Sequence, residues 1–306
     1  MGIVYALLSA FFWGIGNIFI KRGQLLDKTD DGLFISVLLN ALLFLLLTAY
    51  LGFTGQIPPL NTNGIAFFVL AGLLTTFLGR FFNYASIRRI GPSRASSFKV
   101  TSPVFTLIAA LTILDEQLVW MQLVGTVSVL IGVWLVTTEI GTGAPKTVSA
   151  GTGENKMLDR SGRIHPGALL GILAAASFGT GHAVRKLGVE TLPSPQLGAT
   201  IGSCIALTAI VLPQLLAGKL IPFLGQNLSK IKRDYVIAGI STTFGQLFLF
   251  LAIARTDVSV ASVLASTEPL MTLLIAPLLL RSERITRLLV VGCLFVMVGV
   301  ISITLS

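Results

Sequence analysis

GIVYALLSAFFWGIGNIFIKRG, residues 2–23, and GALLGILAAASFGTGHAVRKLG, residues 167–188, are two versions of one segment. Without a gap, an offset of 165 lays Gly2 on Gly167, Leu8 on Leu173, Ala10 on Ala175, Gly14 on Gly179, Gly16 on Gly181, Lys21 on Lys186 and Gly23 on Gly188. The correspondence continues downstream. Ala71-Gly72 matches Ala238-Gly239, Thr75-Thr76-Phe77 matches Thr242-Thr243-Phe244, and Pro103, Glu116, Gly125 and Gly132 match Pro269, Glu283, Gly292 and Gly299. The offset drifts by only two residues, so the chain is a tandem repeat.

What repeats is apolar helix. A bilayer core needs about 20 apolar residues of helix, and ten stretches meet that need: about 3–20, 33–51, 64–86, 94–113, 119–138, 167–184, 197–217, 235–254, 258–280 and 287–305. These runs are far too long for barrel strands. Helices also satisfy their own backbone groups in lipid. The expected fold class is an all-α membrane protein of ten transmembrane helices. Residues 1–138 form a first five-helix repeat, 139–166 a flexible polar linker rich in Gly, Ser and Thr, and 167–306 a second five-helix repeat. An odd number of spans per repeat makes the second copy enter the membrane in the opposite sense. Such inverted-topology repeats are typical of secondary transporters, which hold substrate near the midplane between the repeats.

Composition agrees. Of 306 residues, 54% are hydrophobic and 11% charged, and the mean hydropathy is +0.87, far from the quarter-charged make-up of soluble domains. A soluble enzyme, a disordered chain and a disulfide scaffold are excluded. Cys204 and Cys293 both lie inside apolar runs. The first run lacks a basic leader and a small-residue cleavage site, so it reads as a retained helix.

The segments TSPVFTLIAALTILDEQL (101–118) and STEPLMTLLIAPLLLRSERI (266–285), with Trp13-Gly14 and Phe178-Gly179 closing spans one and six, resemble the paired motifs of EamA-like domains. The chain thus resembles the drug/metabolite transporter superfamily over all but the linker. The resemblance implies ten helices, export or exchange of small metabolites such as amino acids, and no ATP or other cofactor. It implies a plasma membrane protein, with a prokaryotic inner membrane the expected location, working as monomer or homodimer with membrane lipid and a small-molecule substrate as partners.

The net charge of +9 is mostly an orientation signal. Seventeen Lys and Arg fall in the loops after spans one, three, five, seven and nine. Only Arg185, Lys186 and Arg255 fall on the other side, and Arg80 and Lys99 lie inside spans. The positive-inside rule puts the seventeen in the cytoplasm and both termini outside, which departs from the cytoplasmic termini the resemblance implies. A nucleic-acid partner is not needed to account for the charge.

Ionisable groups inside a membrane are costly and point to function. Glu268, next to Pro269, is a candidate proton-coupling carboxylate or a cation partner; bonding the backbone freed by the proline is the competing reading. Lys99 precedes Pro103, close enough to the cytoplasmic surface to snorkel. Positions 95/99/102/106 and 261/265/268/272 are equivalent helix faces in the two halves, so Lys99 and Glu268 are expected to face one central cavity. There they pair when it is empty, and bind the carboxylate and ammonium of a zwitterion. Arg80 shares one face with Thr76, Asn83, Tyr84 and Ile87, a polar stripe, and suits a bidentate carboxylate or phosphate; pairing with Glu268 or with helix-end carbonyls is its structural alternative. Asn17 and His182 are repeat counterparts ending W-G-x-G-N and F-G-x-G-H. Trp13 and Gln246 complete the candidate substrate-binding set, each also readable as packing. Glu116 and Glu283 sit at span ends, where they are expected to cap the next helix. The two glycine pairs of spans five and ten suit helix packing.

No P-loop, dinucleotide glycine pattern, HExxH or Cys/His cluster occurs, so neither a metal nor a catalytic residue is assigned and the chain is not expected to be an enzyme. The expected activity is secondary transport, by alternating access, of zwitterionic or anionic carboxylated metabolites. Alternatives are a facilitative channel, an exchanger of phosphorylated or nucleobase-type metabolites, or a membrane-embedded enzyme. A tag placed after Ser306 is expected to react with an impermeant reagent added to intact cells; complete protection would reverse the orientation.

Overall fold

The computed structural model describes residues 1–26, 32–90, 98–117, 119–142, 166–228, 233–268, 270–271, 275 and 287–304. Most of the 139–166 linker lies outside these residues, as do Pro269 and Glu283. Among the described residues every regular element is a helix.

In chain order these are α1 (Gly2–Leu26), α2 (Leu33–Phe53), α3 (62–90), α4 (Ser102–Ile113), α5 (Trp120–Thr142), α6 (Pro166–Thr191), α7 (Pro195–Leu216), the short α8 (Leu220–Leu228), α9 (Arg233–Ile253), α10 (Val258–Ala265) and α11 (Arg287–Thr304). Six segments are long and apolar enough to cross a membrane: Gly2–Ile20, Leu33–Phe53, Thr62–Ser86, Pro166–Thr191, Pro195–Leu216 and Arg233–Ile253. Ser102–Ile113 and Trp120–Leu135 are shorter apolar helices. The ninth expected span lies partly outside the described residues, and Arg287–Thr304 stands for the tenth.

One boundary is corrected. The sixth span was expected to end at residue 184, with Arg185 in a loop, but α6 runs on to Thr191 and buries Arg185 at 3% exposure. The helix continues because both basic residues find partners. Arg185 reaches a hydroxyl on α3, and Lys186 donates to the Ile253 and Thr256 carbonyls at 3.2 and 3.1 Å, satisfying the end of α9.

The helices pack in matched sets. α1 lies against α9 and α6 against α3; α6 lies against α4 and α1 against α10. α2 crosses α7, and α5 crosses α11. Exchanging the halves turns each of these pairings into another or into itself. Glycines set the crossings, because small residues let helix backbones approach in lipid. A Cβ on Gly132 would stand 2.6 Å from the Gly292 carbonyl oxygen, and one on Gly299 would stand 2.6 Å from the Gly125 carbonyl oxygen.

The interior mixes apolar clusters with polar side chains. Phe53, Trp120, Leu46 and Met297 face outward, while Phe44, Phe68, Leu249 and Phe250 are buried along with Asn40, Thr75, Ser203 and Gln246.

Gly132→Val and Gly299→Val are each expected to destabilise the protein by about 1–3 kcal/mol through forced separation of α5 and α11. Gly225→Ala, on open α8 where a Cβ meets nothing, is expected to be neutral or stabilising by about 0.5 kcal/mol. Thermal unfolding in detergent checks both.

Candidate functional site

The site is built on two broken helices. Proline lacks an N–H and disfavours helical geometry in the residue before it. Around Pro103 the chain is helical at Phe98 and Lys99, turns at Val100 and Thr101, and resumes as α4 at Ser102. In the second half α10 ends at Ala265, turns at Ser266 and Thr267, and resumes at Glu268. The turns are closed in the same way in both, around a carbonyl that also accepts from the threonine's own amide. The Thr101 hydroxyl donates to the Phe98 carbonyl at 2.7 Å, and the Thr267 hydroxyl donates to the Leu264 carbonyl at 2.7 Å. Turns therefore interrupt the expected helix faces between 99 and 102 and between 265 and 268, while positions 95 and 272 lie outside the described residues. Lys99 ends one half-helix, and Glu268 begins another.

These two charges meet. Lys99 Nζ donates to Glu268 Oε2 at 2.8 Å and to Oε1 at 3.0 Å, and Asn17 Nδ2 donates to Oε1. Glu268 is 4% exposed. The ammonium also lies 5.4 Å from the centroid of the Trp13 ring and 5.8 Å from that of Phe178, within reach of the attraction of a cation for an aromatic face. Trp13 and Phe178 are repeat counterparts, so α1 and α6 each contribute one wall. Thr106 ties the surroundings together, its hydroxyl 2.9 Å from that of Ser262 and 3.2 Å from the Gly179 carbonyl.

A second polar cluster centres on Arg80. The helix α3 is not α-helical throughout: Gly72–Gly79 is π-helix, between Thr62–Ala71 and Arg80–Ile90. A π-stretch amounts to a one-residue insertion and is frequent at functional sites. The repeat offset falls from 167 at Thr75/Thr242 to 166 at Pro103/Pro269, as such an insertion in the first half requires. It also shifts the helix phase between Thr76 and Arg80, while Arg80, Asn83 and Tyr84 lie on one regular α-helix; the Ile87 side chain lies outside the described residues. Arg80 donates to Gln246 Oε1 at 3.3 Å and to Ser36 Oγ at 3.4 Å. Turned with its nitrogen toward the Ser36 and Gly239 carbonyls, the Asn40 amide sets its oxygen 3.0 Å from Arg80. Gln246 extends to Ser203, and in the same orientation the Asn40 nitrogen donates to the Thr243 hydroxyl at 2.6 Å. Tyr84 is buried nearby in sequence, while Asn83 is half-buried with no hydrogen-bond partner among the described residues.

His182 and Arg185 lie on α6. His182 is 5% exposed, and its Nδ1 has no hydrogen-bond partner among the described residues. Arg185 Nη2 donates to Thr75 Oγ1 at 2.5 Å, and the guanidinium carbon lies 4.4 Å from the Phe250 ring centroid. Sequence reasoning missed Arg185 because the charged pair Arg185-Lys186 looks like the end of a span. The repeat held the signal: its counterpart at offset 165 is Ile20, inside the first apolar run. Asn40 and Ser203 were missed because single amides and hydroxyls do not stand out in long apolar segments.

Glu116 serves a structural end, though not on the next helix. It accepts from the Val258 and Ser259 amides at 2.7 and 3.4 Å and from the Ser259 hydroxyl at 2.8 Å, capping α10 of the other half. No cluster of three or more potential metal ligands occurs among the described residues.

Residues 1–138 and 165–305 each match the family model of the EamA-like transporter family. An uncharacterized transporter, YcxC, of Bacillus subtilis (strain 168) is 42% identical over 65 residues, a match covering 21% of this chain and 20% of that protein. A protein of known crystal structure superposes with a TM-score of 0.67 at 17% identity, covering 99% of this chain and 96% of that one. That likeness concerns the fold alone.

Removing one partner of a buried ion pair strands the other charge. Lys99→Met or Glu268→Gln alone is expected to lower stability by up to about 3 kcal/mol. The double variant should recover most of the loss, as a double-mutant cycle in detergent would read.

Proposed function

The chain belongs to the EamA-like transporter family, a multi-pass membrane protein, and on that footing we propose that it exports small zwitterionic or anionic carboxylated metabolites, amino acids foremost, by alternating access. The observation that carries this reading is the Lys99–Glu268 pair, set at the breaks of two half-helices and walled by Trp13 and Phe178. Its two charges are opposite and adjacent. A substrate carboxylate replaces Glu268 on Lys99, and the substrate ammonium takes the carboxylate of Glu268, with Asn17 holding that carboxylate in place. Each charge exchanges one partner for another without being stranded, so binding avoids the cost of an uncompensated ion in lipid.

Ten spans in two inverted repeats supply the motion. The matched helix pairings and the doubled family match support this architecture, and rocking of one repeat against the other exposes the site to each side in turn. Glu268 is the candidate for proton coupling, since substrate competes for its place on Lys99. Arg80, Gln246, His182, Asn83 and Tyr84 belong to the wider lining. Moving Arg185 into the membrane leaves only Lys186 and Arg255 on the sparsely charged side, which supports extracytoplasmic termini.

A metabolite screen for thermal stabilisation, followed by counterflow in proteoliposomes, tests the reading. Stabilising amino acids are expected to drive counterflow, and Lys99→Ala and Glu268→Gln each to abolish it while leaving monodisperse protein. Flux without counterflow would identify a channel, and product formed in detergent would identify an enzyme.

A further inference from the structure

Two arginines lie inside the bundle with no carboxylate hydrogen-bonded to them among the described residues. Arg80 bonds only neutral groups among the described residues: the Ser36 hydroxyl, the Gln246 amide and, in the favoured orientation, the Asn40 amide. Arg185 makes one hydrogen bond, to the Thr75 hydroxyl, and its buried Nε has no partner among the described residues. The nearest intramembrane carboxylate in the polar interior, Glu268, is held by Lys99 and Asn17.

The two guanidiniums converge. On α3, Thr75 and Arg80 are five residues apart across the π-stretch, about one turn of such a helix. On α9, Gln246, which accepts from Arg80, and Phe250, on which Arg185 stacks, are four residues apart and share a face. Two independent helices thus bring Arg80 and Arg185 within about one helical turn of each other. Like charges this close in lipid are costly unless an anion lies between them.

Along α6, Phe178, His182 and Arg185 follow i, i+4, i+7 spacing and share one face. Phe178 borders Lys99, and Arg185 lies about 10 Å further along the axis. His182 stands between them with its Nδ1 unpartnered. The face joins the ion pair to the arginine pair.

We infer that Arg80 and Arg185 form a second subsite, which takes an oxyanion of the substrate, so that the preferred substrate is an amino acid bearing a further acidic group. This rests on the amino-acid reading above and narrows it. The head group sits at Lys99 and Glu268, and the distal carboxylate or phosphate at the arginines, whose planar donors fit either bidentately.

The test is thermal-shift titration of the purified full chain with alanine, glutamine, glutamic acid, 2-aminoadipic acid and O-phosphoserine, on the unmodified protein, R185Q and R185K. At least one acidic ligand is expected to bind about tenfold or more tightly than glutamine and alanine. The two carboxylates set against phosphoserine identify which oxyanion is taken. In R185Q the acidic-to-neutral ratio should collapse toward one, with R185K intermediate. Equal binding of glutamic acid, 2-aminoadipic acid, O-phosphoserine and glutamine, or an unchanged ratio in R185Q, overturns the subsite and leaves the amino-acid reading standing. Failure of every ligand overturns both. If R185Q does not fold, the comparison of ligands on the unmodified chain decides alone.

Discussion

The centre of the protein is organised around an ion pair joining the two halves, with Glu268 buried and Lys99 partly exposed. An ammonium and a carboxylate in lipid are each expensive, and each is tolerated because the other is present. That requirement explains features that otherwise look unrelated. The two proline-adjacent breaks bring Lys99 and Glu268 to helix ends, where short and long side chains can meet. The threonines at 101 and 267 close the turns at those breaks, each hydroxyl bonding the carbonyl three residues back. The aromatic rings of Trp13 and Phe178 enclose the cation.

Around that pair the interior holds both kinds of side chain. Phe44, Phe68, Leu249 and Phe250 are buried beside amides, hydroxyls and glycines, while many other large apolar side chains face outward. Helix contact in a bilayer gains little from burying more hydrocarbon, so shape and hydrogen bonding decide which faces touch. The reciprocal glycine contacts of α5 and α11, and the chain of hydrogen bonds from Arg80 through Gln246 to Ser203, are the two forms this takes.

Much of this was legible in the sequence. The repeat, the helical class and the charge asymmetry follow from positions that either match or do not. The meeting of Lys99 and Glu268 was also approachable, because equivalent positions in related helices share a direction. What was not legible came from local departures from ideal helix. A π-stretch leaves no composition signal, and in the sequence only the one-residue change of repeat offset marks it. Arg185 was read as a loop residue because a charge after an apolar run ordinarily ends a span; the partners that let it stay inside are far away in sequence. Glu116 was expected to cap its own neighbour and instead caps α10, a pairing that only the packed halves create.

The inserted residue in α3 has a consequence for energetics. Two identical halves exchanging roles would pass between states of equal free energy, and neither side of the membrane would be favoured at rest. Here one half carries the π-stretch and Arg80, while the equivalent position in the other carries Gln246 on a regular helix. Together with Lys99 and Glu268, whose counterparts are Ala265 and Ser102, that irregularity lifts the degeneracy. In a rocking cycle of the kind proposed, the empty carrier then has a preferred resting orientation set by its own sequence, before any substrate or ion gradient acts on it.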